Sequence, residues 1–250
     1  MSTVPVVRMA DFEAADSGLV AGITSRPGIE SAGRGRAGIS DFGLATGGDW
    51  WSVSNRYTKL ASGLGFSGVA VCRQVHGTRV VSVESAPRDG VWVPGDADGM
   101  IGPPDGCMLV VTVADCVPVY LFEPETGTVG LLHAGWRGVA AGILRSGIER
   151  ITGGDRRRVA GLRIHFGPAI CGDCYEVGPE VMRAMGLDKH DRSGLDLRAF
   201  LQTRAVDLGI SMDGLTSSHL CTRCDADSFH SHRADGDAAG RMAAFLGRTV

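Results

Sequence analysis

The sequence predicts an α+β fold in which mixed β-sheets pack between outer helices, an α/β/β/α order of layers. Three observations point there: short apolar runs that read as hairpin-like pairs, isolated helical segments outside them, and one central strand-helix-strand unit. Residues 4–8 and 19–24 read as short strands. Between Arg26 and Gly48 the chain is rich in Gly and Ser, a long loop near a functional face. Residues 52–64 ("SVSNRYTKLASGL") form a helix with Ser52 as N-cap. "GVAVCRQVHG" (68–77) reads as a strand that stops at its glycine, with "TRVVSVES" (78–85) as its partner.

The centre is clearer. "CMLVVTVADCVPVYLF" (107–122) is a strand, a break at Asp115–Pro118 and a second strand, followed by the turn "PETG". "TVGLLHAG" is another buried strand, and "GVAAGILRSGIERI" (138–151) continues as one amphipathic helix. "VAGLRIHFGPAIC" then repeats the strand-to-loop pattern. The run Asp155–Arg158 reads as a solvated turn. Helices follow over Pro179–Met185 and Leu195–Leu208, with a short terminal helix over Gly240–Leu246. No internal boundary stands out, so residues 1–250 are read as a single domain.

The bulk numbers bound the function. With 250 residues and 44% apolar side chains, the chain can bury a sizeable core. Lys and Arg (25) nearly balance Asp and Glu (28), and a net charge of −3 argues against a nucleic-acid binder. The N-terminus lacks the basic start and sustained apolar core of a signal peptide, and the longest apolar run is interrupted by Asp115 and Pro118. A cytoplasmic protein with no membrane partner is expected. Seven cysteines in a reducing compartment point to catalysis, metal binding or burial rather than disulfides.

Three elements end alike: Val75-His76-Gly77, Ala114-Asp115-Cys116 and Leu132-His133-Ala134. Each alone fits a structural residue. Together, His76, Cys116 and His133 suit a three-ligand catalytic zinc site with a fourth position for water. Cys107, in the same apolar run as Cys116, reads as core. A competing metal set is the pair of CxxC units, Cys171/Cys174 and Cys221/Cys224, which can build a closed structural zinc site. Spacing does not decide between the two. His230 and His232 alternate as on one face of a strand, and solvent exposure is the favoured reading for them.

"RQVHG" (73–77), "ADCVPV" (114–119), "HAGWRG" (133–138), "GPAI..CYEVG" (167–178) and "GR" (240–241) resemble the laccase-domain family, whose members are named polyphenol oxidoreductase, purine nucleoside phosphorylase or peptidoglycan editing factor. The resemblance runs from about residue 24 to 250, with "TSR" (24–26), "GLATG" (43–47), "NR" (55–56), "DADG" (96–99) and "VDLGI" (206–210) as weaker matches. It implies that His76, Cys116 and His133 are the metal ligands, which places the metal away from the four cysteines. Two segments depart from the family: "TSRPGIESAGRGRAGIS" near the N-terminus, and Phe229-His230-Ser231-His232-Arg233-Ala234 where relatives carry an aromatic "SYRR" stretch.

The resemblance implies a zinc enzyme, with copper as the alternative metal. The implied activity is phosphorolysis of adenosine, inosine, guanosine and methylthioadenosine, with adenosine deamination beside it. Its partners would be purine nucleosides and phosphate, and the chain a monomer or small homo-oligomer. In chemical terms, Cys116 and His133 would act at the centre, and Asp115 or Asp98 would carry protons or orient a ligand histidine. Arg137, Arg56 and Arg26 are the candidates for phosphate, and Trp136 and Tyr175 for purine stacking. A metal-independent reading makes Cys116 a nucleophile and His133 its base in an amidase that edits peptidoglycan precursors. A non-enzymatic, metal-stabilised partner protein is the third reading. Copper-dependent phenol oxidation is the weakest, because one two-histidine, one-cysteine cluster does not supply several coppers.

Overall fold

The computed structural model describes residues 4–26, 41–43, 49–84, 89–102, 105–188 and 191–249. The loop expected over 26–48 falls mainly outside them. One sheet has the strand order β1 (Val6–Arg8), β2 (Leu19–Thr24), β14 (Met242–Arg248), β7 (Cys107–Val113), β3 (Gly68–Val71) and β5 (Gly90–Trp92). The second runs β13 (Leu215–Ser217), β10 (Arg163–Phe166), β8 (Val117–Glu123), β9 (Thr128–Ala134), β6 (Gly99–Ile101) and β4 (Val80–Ser82). A two-stranded ribbon pairs β11 (Glu176–Val177) with β12 (Ser193–Gly194). The helices are α1 (Ala10–Glu13), α2 (Trp50–Gly63), α3 (Trp136–Ala141), α4 (Ile143–Thr152), α5 (Arg156–Gly161), α6 (Pro179–Ala184), α7 (Leu197–Asp207) and α8 (His232–Asp235).

Period-two alternation along the central strands builds the layers. In β7, Leu109, Val111 and Val113 enter a core between the sheets with Tyr120, Phe122 and Leu131 of the second sheet. Met108 and Val110, on the opposite face of β7, meet Val53, Tyr57 and Leu60 of α2. In β8, Val117, Val119 and Leu121 turn outward onto Ile143, Ile148 and Leu201 of α4 and α7. These strands are apolar on both faces, which is why they read as unbroken hydrophobic runs. Each such Val, Leu or Phe contributes roughly 1.5–3 kcal/mol by its burial. The expected α/β/β/α order of layers is therefore present.

Several local expectations are corrected. Residues 242–248 are strand β14, paired to β2 and β7 along both edges, and not a terminal helix. Hydrogen bonds on two sides and burial on two faces override the helix preference of its alanines. The single helix expected over 138–151 is two, because Gly142 takes φ 98° between α3 and α4. Ser52 lies in the first turn of α2; the cap is Asp49, whose Oδ1 accepts from the Ser52 N–H at 2.9 Å. Strand β3 stops at Val71, and the supposed hairpin partner at 80–82 lies in the other sheet. The basic run is solvent-exposed over Asp155–Arg157 as expected, but it opens α5 behind Asp155 rather than forming a turn, and Arg158 pairs with buried Glu123 at 2.9 Å.

The chain passes from the first sheet to the second three times, in β3→β4, β5→β6 and β7→β8. Strands β3, β5 and β7 are mutually parallel, so these crossings leave from one end of the first sheet. In the second sheet β9 runs antiparallel to β6 and β8, so its C-terminal end meets their beginnings. That common end carries the residues singled out in the sequence.

One buried core histidine predicts a loss of stability in acid. His165 of β10 is buried beside Phe12 and Tyr120, with Nδ1 2.9 Å from Thr216 Oγ1 and Nε2 unpaired. Burial pushes its pKa down to about 4, against a small upward pull from Asp11. A histidine that stays neutral in the fold costs stability as pH falls below its unfolded value of roughly 6.5 and until the folded value is passed. The thermal midpoint should drop between about pH 6.5 and 4, a loss on the order of 3 kcal/mol. His165→Gln should flatten that part of a calorimetric pH series; an unchanged slope would assign the acid sensitivity elsewhere.

Candidate metal centre

The three crossings place the site. His76 lies in the first, Asp98 in the second and Cys116 in the third, while His133 sits one residue before the end of β9. The only described non-glycine residues with positive φ are His76 (59°) and Asp115 (87°). Both sit where the backbone turns between sheets, and such conformations cost of order 1–3 kcal/mol unless neighbours hold them. The neighbours are specific. Gln74 bonds both the N–H and C=O of Thr112 on β7, at 2.7 and 2.8 Å, which pins the His76 loop to the first sheet.

The donor atoms of His76, Cys116 and His133 lie within 4.8 Å of one another. The two imidazoles meet edge to face, with centroids 4.8 Å apart. His133 is buried, Cys116 half-buried and His76 exposed, so the cluster opens to solvent on the His76 side. Gly135 leaves the space: a Cβ there would come within 3.0 Å of both Cys116 Sγ and His76 Cδ2.

Asp98, buried completely, organises the cluster. Its Oδ1 accepts from the His76 N–H and lies 2.9 Å from His133 Nδ1; its Oδ2 accepts from the N–H groups of Val75 and Gly77. Burial works against its charge, but the His133 bond and these N–H groups hold its pKa below the ordinary aspartate value. Nδ1 of His133 is thereby committed, leaving Nε2 for an ion. Burial would keep Cys116 a thiol, yet His133 and then His76 outweigh it and bring the pKa down to about 6. Burial also opposes charge on His133, where Cys116 and the Asp98 bond win and raise the pKa to about 9. A thiolate and two imidazoles, one fixed by a buried carboxylate, are a donor set suited to a transition-metal ion.

Other expected site residues divide into two groups. Asp115 is adjacent to Cys116, but its Oδ1 accepts from Thr222 Oγ1 and its Oδ2 from the Arg233 N–H, each at 2.6 Å, so it bonds to neither histidine. Tyr175 is half-buried under the Arg233 guanidinium, 5.0 Å from the ring centre, and its pKa is pushed up to about 12 by burial and then by Cys116. Arg137 is exposed and stacks 4.4 Å over Trp136. Arg26 bonds Ala226 O and lies 3.9 Å from Asp235 of α8, and Arg56 donates to Asp41 O. No described contact ties either to the three-ligand cluster.

No local pattern assigns a role to Gln74, Thr222 or Arg233, and the solvent exposure expected of His230 is not met. His230 is buried at 6% exposure, and His232 opens α8. Gln74 lies inside "RQVHG" (73–77) and Arg233 inside the 229–234 segment that departs from the family, so both sit in segments that carry a sequence signal. The four cysteines Cys171, Cys174, Cys221 and Cys224 are also drawn within 4.8 Å of one another. Two candidate clusters are therefore present among the described residues.

Two mixed sheets between helical layers, with a His/Cys/His cluster where the chain crosses between them, define a metal-site protein of layered α+β type. The chain belongs to the multi-copper polyphenol oxidoreductase laccase family, whose pattern matches residues 20–249. It is 32% identical to the purine nucleoside phosphorylase YlmD of Geobacillus stearothermophilus, over 93% of this chain and 91% of that one. Similarity to the adenosine deaminase RL5 of an unknown prokaryote is 29%, over 92% and 94%. The crystal structure of YlmD from G. stearothermophilus superposes with a TM-score of 0.83, covering 100% of this chain and 98% of that one at 29% identity. No described helix is long and apolar enough to cross a membrane.

Asp98→Asn replaces an acceptor by an amide N–H2 that faces the N–H groups of Val75 and Gly77. Metal affinity should fall roughly 10–100-fold, as for other lost partners of a ligand histidine, read by competition with a chromogenic chelator. An unchanged affinity would mean that the negative charge of Asp98 does not strengthen His133 as a ligand.

Proposed function

We propose that this chain is a zinc-dependent purine nucleoside phosphorylase acting on adenosine, inosine, guanosine and methylthioadenosine, with adenosine deaminase activity at the same site, and that it works as one domain. The observation that carries this is the open His76/Cys116/His133 cluster beside an aromatic and cationic rim of Trp136, Arg137, Tyr175 and Arg233. Relatives named for purine nucleoside phosphorylase and adenosine deaminase support it. His76, Cys116 and His133 would hold the ion, which when bound supplies Lewis-acid chemistry.

The chain's own groups have separable tasks. Tyr175 and Trp136 offer purine-stacking surfaces that each already carry a guanidinium on one face. Arg137 and Arg233 provide charge-assisted donors for phosphate, whose oxygen attacks C1′ of the ribose while the bond to the purine nitrogen breaks. Asp98 fixes the ring of His133. Asp115 has both oxygens engaged, so we assign it the positioning of Arg233 and Thr222 rather than proton transfer. Arg26, paired with Asp235 two residues beyond Arg233, and Arg56, on the Asp41 carbonyl, are further candidate donors for phosphate. A second reading draws on the Asp98–His133–Cys116 alignment: a thiolate nucleophile with an oriented base, acting on an amide without metal.

Metal-replete protein incubated with adenosine, with and without phosphate, should give phosphate-dependent adenine and ribose 1-phosphate, and inosine in either condition. Chromatographic separation of the products reads both. His76→Ala should abolish both along with the zinc of the His76/Cys116/His133 cluster. Absence of all three products from zinc-loaded protein would reject the nucleoside reading and favour the amidase.

A further inference from the structure

The four remaining convergent cysteines come from two tight turns of the chain. In the first, the Cys174 N–H bonds the Cys171 carbonyl at 3.1 Å; in the second, the Asp225 N–H bonds the Cys221 carbonyl at 2.9 Å. The turns lie side by side, because Ala169 and Cys221 form a parallel bridge and Arg223 Nη1 donates to the Cys174 carbonyl at 3.3 Å. All four sulfurs lie within 4.8 Å of one another, and Cys174 Sγ is 3.5 Å from Cys224 Sγ. The N–H groups of Cys171 and Cys224 both point at Cys221 Sγ, at 3.3 and 3.4 Å. All four cysteines are free thiols.

We propose that Cys171, Cys174, Cys221 and Cys224 form a second metal site, a closed tetrathiolate that takes one zinc ion. Tetrahedral zinc with Zn–S bonds of about 2.3 Å sets its sulfurs about 3.8 Å apart, which the observed convergence approaches without rearrangement of either turn. A single disulfide would employ two of the four sulfurs and leave the N–H donors on Cys221 unexplained. N–H groups aimed at sulfur stabilise thiolate rather than thiol. Four donors fill the coordination shell, so the site has no open position and is structural.

Its role follows from what Cys221 is joined to. The next residue, Thr222, is fully buried and donates to Asp115, whose other oxygen takes the Arg233 N–H. Zinc here clamps the 221–233 strap onto the 167–175 loop, and so keeps Thr222 and Arg233 bonded to the Asp115 carboxylate. This site is independent of the proposed reaction and stands or falls separately from it.

Metal analysis by mass spectrometry should find two zinc ions per chain in the wild type, one in His76→Ala/His133→Ala, and one in folded Cys174→Ser/Cys224→Ser. Because the serine variant can fail to fold, the wild type carries a second test. Exposed Cys224 and half-buried Cys174 should resist N-ethylmaleimide in native protein, then label together once a chelator strips the ion. Substituted cobalt should show the strong sulfur-to-metal absorption of a tetrathiolate in His76→Ala/His133→Ala. Rapid labelling of Cys224 in zinc-replete protein overturns the proposal, as does a mass two hydrogens lighter with a linked Cys174–Cys224 peptide. A wild-type chain that binds only one zinc, lost with His76 and His133, overturns it equally.

Discussion

The buried carboxylate of Asp98 is the constraint on which the rest of the centre depends. A charge removed from water is tolerated only when its lone pairs are engaged, and here four donors engage them. Three are consecutive backbone N–H groups of residues 75–77, and the fourth position is filled by His133 from another strand. One side chain therefore fixes the conformation of the His76 loop, the orientation of His133 and the electrostatics of Cys116. Its removal would release all three at once.

The position of Asp98 is itself a product of topology. Three strands of one sheet hand the chain to three strands of the other, always at the same end, and each handover contributes one residue: His76, Asp98, Cys116. Where the backbone turns between layers it cannot continue a ladder, so polar groups there seek side-chain partners. Gln74 on Thr112, Asp98 on residues 75–77, and Thr222 and Arg233 on Asp115 are those partners. His76 and Asp115 take positive φ in two of these turns, and their strain is held by the same bonds that shape the centre.

The core legible from sequence was the part governed by local pattern. Strands β7, β8 and β9 are continuous apolar runs with clear ends, and "HAGWRG" and "ADCVPV" marked two metal-ligand candidates at those ends. Strand β14 was not legible, because Met242-Ala243-Ala244-Phe245-Leu246 is helical by local preference and becomes a strand only through pairing on both edges. Gly142 hid a break because a glycine within an amphipathic pattern reads equally as tolerated. His230 was misplaced because its burial depends on contacts with segments distant in sequence.

Residue order alone determined the alternation that builds two sheets between helices, and the kinds of donor available: two imidazoles and a thiol at the ends of three apolar elements, and two CxxC turns. Which donors meet was decided only by the tertiary structure, since residues 76, 116 and 133 converge through sheet crossings that no local pattern encodes. The same holds for the four cysteines, whose turns are brought together by a backbone bridge 52 positions apart between Ala169 and Cys221. Local chemistry is written in composition and spacing, whereas convergence depends on register and crossover, which the whole fold sets.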